Sequence, residues 1–454
     1  MCDIGKKGTS IKCCGVKEKR PECFPIEIPD DDPYFKTDCL NFVRSAEAVR
    51  LDFSPAKLQK LLLVSNKPID LLDQPLTFWF MLILCAFLCS FDTGPREQIN
   101  QVTSYIDASA VYGSNKKAMD ELRLFKNGLL KTSKFEMLPP QNNGACRLTH
   151  KNEFCMLAGD FRVNVVPNLS ILHLLFVREH NRIAKKLGKL NPMWNDERIF
   201  QESRKIIAAY IQQISYQEYI AEILDQETLC RYKLRTTIKG FNHVYNDTIN
   251  SSIRNVFAVA AFRFGHAQIT SSVLYYKQNN DIESRILEDT FHNPHMVQDK
   301  HGRHIPDLGR WIVYDKSIKA DRCMVSAVRD KLFIDKEKRS FDLAALNIQR
   351  GRDHGIPPYV KWRTWCGLSK VTSFDSGLYP LIDHDRKTIL KLKKAYKSVR
   401  DIDLFAGGIS EIHLPGADVG PTFACILGRQ FQALKEGDRF WFEIENYKTG
   451  FTKG

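Results

Sequence analysis

The chain has 454 residues, of which 43% are hydrophobic and 11% aromatic, enough to bury one large core or two or three smaller ones. This composition excludes disorder for most of the chain, and the formal charge of +13 favours association with anionic surfaces such as acidic glycans, membranes or nucleic acid. In the densest basic run, 386–400, lysines are interleaved with Ile389, Leu390 and Leu392 as in a solvated amphipathic helix, so no nucleic-acid site is predicted.

Residues 1–50 are rich in cysteine and proline and show neither a helical nor a strand period. The spacing of the cysteines is typical of a disulfide framework formed in an oxidising compartment, and no CxxC pair near them points to zinc. The cysteines concerned are Cys13, Cys14, Cys23, Cys39, Cys146 and Cys155. Sequons at Asn246 and Asn250 agree with secretion. The first ten residues contain no apolar signal-peptide core, from which a missing beginning is inferred.

Residues 51–92 differ in kind from their surroundings, because they end in a nearly unbroken apolar stretch without charge, PLTFWFMLILCAFLCSF, at 75–91. Three interpretations are open for this stretch. A membrane helix needs about 20 apolar residues. A buried helix and an inserted peptide foreign to the rest of the chain are the other two.

Helical periodicity dominates from about residue 95 onward. The clearest segment, 168–187, starts with Asn168 after Pro167 and ends in Lys185 and Lys186, which suit the negative end of the helix dipole. Strand-like alternation is short and rare, so the architecture is predicted to be mainly α. Further helices are predicted over 196–224, 251–264, 320–335, 341–349 and 385–400.

One predicted helix carries a candidate cofactor contact. The small side chains of Ala260 and Ala261 permit a close approach, and Gly265 removes bulk beside His266, so a flat cofactor would fit there. A single histidine beside an apolar helix is nevertheless more often a core residue than a ligand. The same applies to His173, His180 and His354.

Five segments, in this order along the chain, closely resemble the animal haem peroxidases, nearest to the peroxidasin-like and chorion-peroxidase-like branch. They are REQINQVTSYIDASAVYGS (96–114), LAGDFRVN (157–164), LFVREHNRIA (175–184), AAFRFGH (260–266) and LNIQRGRDHGIPPY (346–359). The resemblance covers about residues 10–50 and 95–440 and implies a mainly α-helical domain enclosing a haem, with few short strands. It makes 1–50 an N-terminal part of that domain, 51–92 an atypical apolar insert, and 93–454 the domain body.

The resemblance implies roles for four residues on the proximal side of the haem. His266 matches the axial iron ligand, and Asn347 matches the residue that accepts the other ring N–H of that histidine. Arg263 and Arg350 match positions that face the haem, where a guanidinium can pair with a propionate.

On the distal side, Arg162 matches an arginine whose fixed charge stabilises the cleavage of the peroxide O–O bond. The family's distal histidine lies in a WGQFxDHD-type segment, and the 454 residues contain no such segment, so little turnover is expected from this chain. Val165 stands where the family commonly has a glutamate that forms an ester with the haem. The haem b is therefore expected to be held non-covalently.

The resemblance also implies a calcium loop and two disulfides. The calcium ligands would be hydroxyl, carbonyl and carboxylate oxygens, and the set is incomplete because the aspartate beside the distal histidine is missing. The matching residues are Thr103, Tyr105, Asp107 and Ser109. Cys146 pairs with Cys155 and Cys366 with Cys425 at family disulfide positions, while Cys85, Cys89 and Cys323 have no family partner.

The function that follows is a secreted haem peroxidase that uses hydrogen peroxide to oxidise halides or small phenolic donors, and that acts in the response to oxidative stress. A second hypothesis from another class is a non-catalytic haem-binding or matrix-adhesion protein, in which the basic surface contacts anionic matrix or glycans. A third is a form tethered to a membrane through 75–91.

Overall fold

The computed structural model describes residues 98, 100, 102–142, 144, 146–237, 239–446 and 450–452. Most regular structure in this part of the chain is helical. The α-helices are α1 (Ser109–Tyr112), α2 (Lys116–Leu122), α3 (Pro167–Leu190), α4 (Asp196–Ile214), α5 (Ile220–Ile223), α6 (Gln226–Arg231), α7 (Asn255–Val259), α8 (His295–Gly302), α9 (Ile305–Tyr314), α10 (Ser326–Arg329), α11 (Leu343–Asp353), α12 (Tyr359–Trp365), α13 (Arg386–Ala395), α14 (Leu404–Ile409) and α15 (Pro421–Glu436).

Short irregular helices and one hairpin complete the described architecture. Strands β1 (Ser272–Tyr276) and β2 (Ile282–Ile286) pair antiparallel, with Leu274 opposite Ser284, and α9 packs against β1. The 3₁₀ helices are Lys134–Glu136, Phe161–Asn164, Ala261–Gln268, Leu287–Asp289 and Val399–Asp401, and Ser215–Tyr219 is a π-helix. The prediction of a mainly α fold with few short strands is confirmed for the described residues.

Helices α3 and α4 form the longest helical pair. Pro167 occupies the first turn of α3, where its missing N–H costs nothing, and the buried residues Leu174 and Val177 lie on one face of the helix. Helix α4 starts at the N-cap Asn195, whose side chain accepts a hydrogen bond from the Arg198 N–H, and it packs against α3. The predicted distal arginine, Arg162, lies just before Pro167. Helices α3 and α4 hold this part of the chain against the core.

Most residues of helix α15 are buried, and its position fixes the segment that carries His266. Pro421 again begins the helix, and apolar side chains such as Phe423, Ile426 and Phe431 are buried around it. Because α15 and α14 both pack against the 3₁₀ helix Ala261–Gln268, that short helix has a rigid support.

Two helix predictions were wrong in extent. The segment 251–264 is helical only at α7 before Ala260 adopts φ −132° and ψ −72°, and the chain continues as the 3₁₀ helix Ala261–Gln268. The segment 320–335 is helical only at α10, because Leu332 instead pairs with Phe341 in an isolated β-bridge. Both departures depend on specific hydrogen bonds and packing contacts, which hydrophobic periodicity does not contain.

The other helix predictions are confirmed. The segment 168–187 lies within α3, 341–349 corresponds to α11, and 385–400 corresponds to α13 followed by a 3₁₀ turn. The predicted helix 196–224 is present as α4, the π-helix Ser215–Tyr219 and α5 in direct succession.

Both disulfides implied by the resemblance are present, Cys146–Cys155 and Cys366–Cys425. Cys323 is exposed and free, as expected, and Cys230 is also free. No helix in the described ranges is both long and apolar enough to cross a membrane. The residues of the predicted coil 1–50, the insert 51–92 and its apolar stretch 75–91 lie outside the described part, as do Cys85 and Cys89.

Gly408 in α14 provides a test of this packing. A methyl group at this position would overlap the ring of Phe423, which is fully buried in α15. We therefore expect Gly408→Ala to lower the free energy of unfolding by about 1–3 kcal/mol, measured by urea denaturation. Gly309→Ala is the matched control, because a methyl group on that α9 glycine meets no atom within 4 Å and should be neutral or stabilising. Equal effects of the two substitutions would contradict the packing of α14 on α15.

Candidate functional site

His266 lies in the 3₁₀ helix Ala261–Gln268, whose buried residues Ala261, Phe264 and Ala267 hold the helix in the core. Its ring is partly buried. Burial, together with the positive charge of Arg263, lowers the pKa of His266 to about 4, against a smaller opposing effect of the Asn347 side chain. The imidazole is therefore neutral at neutral pH, which is the form that binds a metal ion.

Asn347, on α11, lies between His266 and Arg263 and is completely buried. Its Nδ2 is 3.0 Å from Nδ1 of His266, and its Oδ1 accepts a hydrogen bond of 3.0 Å from Nη1 of Arg263. The expected contact between Asn347 and His266 is present with the amide nitrogen, not the oxygen, next to Nδ1, and acceptance of the ring N–H by Asn347 stays a prediction. The physical reason is that a guanidinium only donates hydrogen bonds, so Arg263 takes the amide oxygen and leaves the amide nitrogen for the histidine.

Arg263 and Arg350 form a cationic pair next to this histidine. Arg263 donates from Nε to the Ala258 carbonyl at 3.1 Å, and burial followed by the charges of Arg350 and Arg162 lowers its pKa to about 10. Neither Arg263 nor Arg350 forms an ion pair with any carboxylate among the described residues. Two neighbouring guanidiniums without a carboxylate partner are suited to a ligand that itself carries carboxylates, such as a haem with its two propionates.

Arg162 approaches the same region from the 3₁₀ helix Phe161–Asn164. Its side chain is 62% exposed and forms a bidentate pair with Asp160, at 2.9 Å from Nε to Oδ1 and 2.6 Å from Nη2 to Oδ2. Burial raises the pKa of Asp160, but the hydrogen bonds from Arg162 outweigh it and leave the pKa below its usual value. Asp160 thus stays ionised and fixes the orientation of the guanidinium.

His173 is a residue that the sequence interpretation assigned to the core without a role. It lies in α3, its Nδ1 is 2.6 Å from the Leu169 carbonyl oxygen, and its buried Nε2 has no hydrogen-bond partner within the described ranges. Burial lowers its pKa, and the charges of Asp160 and Arg162 act on it in opposite directions. His173 lies near Asp160 and Arg162 because α3 follows directly on the 3₁₀ helix Phe161–Asn164. No sequence motif predicts this proximity.

Val165 and Val166 occupy the join between the 3₁₀ helix and α3. The Val165 carbonyl accepts a hydrogen bond of 3.0 Å from the His292 N–H, and Val166 packs against the core as the N-cap residue of α3. Neither side chain offers an oxygen, so no ester with a cofactor can form at either position.

The four predicted calcium ligands belong to the loop that leads into α1. Thr103 Oγ1 donates to Asp107 Oδ1 at 2.9 Å, and the Ser109 N–H donates to the same oxygen at 3.1 Å. Thr103 Oγ1 also lies 3.4 Å from the Tyr105 carbonyl oxygen. The loop brings these groups together and satisfies them with hydrogen bonds to one another, and calcium binding stays a prediction.

The chain is similar to known proteins along nearly its whole length. The family model described as animal haem peroxidase matches residues 3–454. Thyroid peroxidase of Rattus norvegicus is 34% identical over 453 residues, covering 95% of this chain and 45% of the relative. Peroxidasin homolog of Homo sapiens is also 34% identical, covering 95% of this chain and 28% of the relative. The chain thus spans less than half of the length of these two relatives.

Solved structures give the same result for the fold. Peroxidase A of Dictyostelium discoideum is similar with a TM-score of 0.67 and 35% identity, covering 78% of this chain and 66% of that one. A fatty acid alpha-dioxygenase of Oryza sativa has a TM-score of 0.63 at 22% identity, covering 80% and 62%, and indicates a shared fold alone.

The position of Asn347 makes the charge state of His266 testable. Asn347→Asp places a carboxylate beside the imidazole, and because an opposite charge favours the protonated ring, the pKa of His266 should rise by about 1–3. Asn347→Ala removes a hydrogen bond that raises this pKa and should leave it unchanged or lower. The measurement is an NMR titration of the His266 ring in the haem-free chain, and a pKa that responds equally to both substitutions would place His266 away from Asn347.

Proposed function

The chain belongs to the animal haem peroxidase family, and on that premise we propose that it binds a b-type haem through His266 and uses hydrogen peroxide to oxidise small donors. The observation that carries the proposal is the partly buried His266 imidazole, 3.0 Å from the buried amide of Asn347 and near two guanidinium groups that have no carboxylate partner in the described part of the chain. When bound, the haem supplies the iron at which peroxide is reduced and the donor is oxidised.

His266 would hold the iron through Nε2, which requires the ring hydrogen to lie on Nδ1, facing Asn347. In the described geometry Nδ1 instead faces the amide nitrogen, because Arg263 occupies the amide oxygen. We propose that the amide of Asn347 turns round on haem binding, once Arg263 moves from Asn347 to a propionate. The same side chain would then accept the Nδ1 hydrogen of His266 and fix the tautomer of the ring.

Retention of the haem would rest on charge and packing. Arg263 and Arg350 supply positive charge that suits the two propionates, and their burial strengthens this attraction relative to water. Because Val165 offers no carboxylate for an ester, the proposed attachment is non-covalent.

Arg162 would act on the peroxide side. Its guanidinium is exposed and oriented by Asp160, so it can donate to a peroxide oxygen and stabilise negative charge that develops there. Reduction of peroxide also needs a group that moves a proton from one oxygen to the other. For the 454-residue polypeptide itself we propose slow turnover, since a WGQFxDHD-type segment does not occur among its residues.

The finer features follow the family. Halides and small phenols are the proposed donors, and the loop with Asp107 is proposed to bind calcium. Secretion is proposed because the disulfides Cys146–Cys155 and Cys366–Cys425 are of the kind that persists in oxidising compartments. A non-catalytic haem-binding protein with the same fold is the alternative, and the reaction with peroxide separates the two.

The haem site is tested by visible absorption of the haem-supplemented chain. We expect a Soret band in the unaltered protein and loss of the protein-bound band in His266→Ala, because no other group then provides the axial nitrogen. His243→Ala is the matched control, since His243 is exposed and has no contact with the site, and its spectrum should be unchanged. A normal band in His266→Ala would refute the assignment of the ligand.

The role of Arg162 is tested by stopped-flow mixing with hydrogen peroxide. Loss of one positioned donor typically lowers a rate about 10²–10³-fold, and Arg162→Gln should lower the rate constant of the peroxide-induced Soret change on that scale. Haem affinity should stay the same, because the residues proposed to hold the haem are unaltered. An unchanged rate constant would remove Arg162 from the mechanism, and a rapid reaction of the unaltered chain would refute the proposed slow turnover.

A further inference from the structure

A cluster of two histidines and one glutamate lies outside the proposed haem site. It joins the loop closed by the disulfide Cys146–Cys155 to the first residue of α8. Its members are His150, Glu153 and His295, and one ligand atom of each lies within 4.8 Å of the others. No feature of the family resemblance involves these three residues.

The two imidazoles converge on one carboxylate oxygen. Glu153 Oε1 is 2.5 Å from Nδ1 of His295 and 3.2 Å from Nδ1 of His150. The rings are stacked, with centroids 3.9 Å apart and an angle of 18° between their planes. Two nitrogens and one oxygen are therefore gathered in a single small volume.

The carboxylate is held in place by the backbone of its own loop. Glu153 Oε2 accepts hydrogen bonds from the N–H groups of Thr149 at 2.7 Å and His150 at 2.9 Å, and from Thr149 Oγ1 at 3.3 Å. The side chain is only 6% exposed. Burial raises the pKa of Glu153, but these hydrogen bonds and the contact with His295 outweigh it and leave the pKa below its usual value. Oε1 is thus a charged ligand atom fixed in advance.

The loop and α8 are also fixed relative to each other. Gln298 of α8 accepts from the Phe154 N–H at 3.2 Å and donates to the Phe154 carbonyl at 2.8 Å. The Arg147 N–H donates to the His292 carbonyl at 2.6 Å. With the disulfide, these bonds hold the three side chains on a rigid frame, which lowers the cost of bringing ligands together.

We propose that His150, Glu153 and His295 bind one divalent transition-metal ion, with Zn²⁺ as the best match. Two imidazoles and one carboxylate are a ligand set found in three-ligand zinc sites, whereas Ca²⁺ and Mg²⁺ prefer oxygen ligands throughout. Ligand atoms about 2.0–2.1 Å from zinc stand about 3.3 Å apart in tetrahedral geometry, so the exposed His150 ring would have to rotate out of its stack with His295 for both nitrogens to face the ion. His150 is 60% exposed, which leaves room for water as a fourth ligand.

The proposed ion would link the disulfide loop to α8 through three bonds. The consequence is a gain in stability rather than a step in peroxide chemistry, because an ion that binds only the folded chain stabilises it. The segment before α8 also contacts the segment that carries Arg162, since the His292 N–H donates a hydrogen bond to the Val165 carbonyl. The proposal does not depend on haem binding, and its test uses protein without haem.

The experiment is a titration of untagged, chelator-treated, haem-free full-length chain with Zn²⁺ by calorimetry, and with Co²⁺ by visible absorption. We expect one strong site per chain and the visible bands of cobalt with nitrogen and oxygen ligands. His150→Ala, His295→Ala and Glu153→Gln should each weaken Zn²⁺ binding at least about tenfold, because each removes a ligand. His301→Ala is the matched control, since it removes an exposed imidazole from the same helix without touching the cluster.

Circular dichroism of each variant shows whether it is folded, and His150→Ala is the informative substitution because this side chain is largely exposed. Unaltered Zn²⁺ affinity in folded His150→Ala and Glu153→Gln would overturn the proposal. The absence of any strong Zn²⁺ site in the unaltered chain would also overturn the proposal. The three side chains would then form a hydrogen-bonded cluster that binds no metal ion. Weakened binding in His301→Ala to the same degree would place the ion elsewhere on α8.

Discussion

The buried amide of Asn347 is the interaction on which the rest of the site depends. It has one acceptor oxygen and one donor nitrogen, and in this structure they contact Arg263 and His266. A completely buried amide without partners would cost free energy, so these two contacts tie α11 to the 3₁₀ helix Ala261–Gln268. The same amide cannot offer its oxygen to both neighbours at once. The orientation of the amide therefore links the position of the ring hydrogen on His266 to whether an anion pairs with Arg263.

The electrostatics of the site follow from this arrangement. Arg263 lies near both Arg350 and Arg162, and burial, followed by the positive charges of these two residues, lowers its pKa to about 10. Such an arrangement is stabilised when an anionic ligand arrives, because a partly buried guanidinium without a carboxylate partner leaves its charge uncompensated. Arg162 is the exception, because Asp160 pairs with it and sets its direction. Arg263 and Arg350 are therefore available to pair with an anionic ligand, whereas the guanidinium of Arg162 is already oriented by Asp160.

Much of the fold could be predicted from the sequence, and the parts that could not share one cause. Helix α3 has a long apolar face and a proline at its start, so local pattern and tertiary structure agree. The break at Ala260 depends on the bond from Arg263 to the Ala258 carbonyl and on packing against α15, and neither is visible in periodicity. Motif order identified His266 and Asn347 as neighbours, but the direction of the amide depends on which donor competes for its oxygen. His173 and the cluster of His150, Glu153 and His295 were missed because their members meet only after folding.

We propose that His266 and the guanidiniums of Arg263 and Arg350 together bind a haem through its iron and its two carboxylates. The most direct measurement compares the affinity of the haem-free chain for haem and for haem dimethyl ester, in which both propionates are uncharged. We expect the ester to bind at least about tenfold more weakly, since charge-assisted hydrogen bonds to each carboxylate contribute about 1.5–3 kcal/mol. Equal affinity for the two forms would contradict it, because the guanidiniums of Arg263 and Arg350 would then have no part in holding the cofactor.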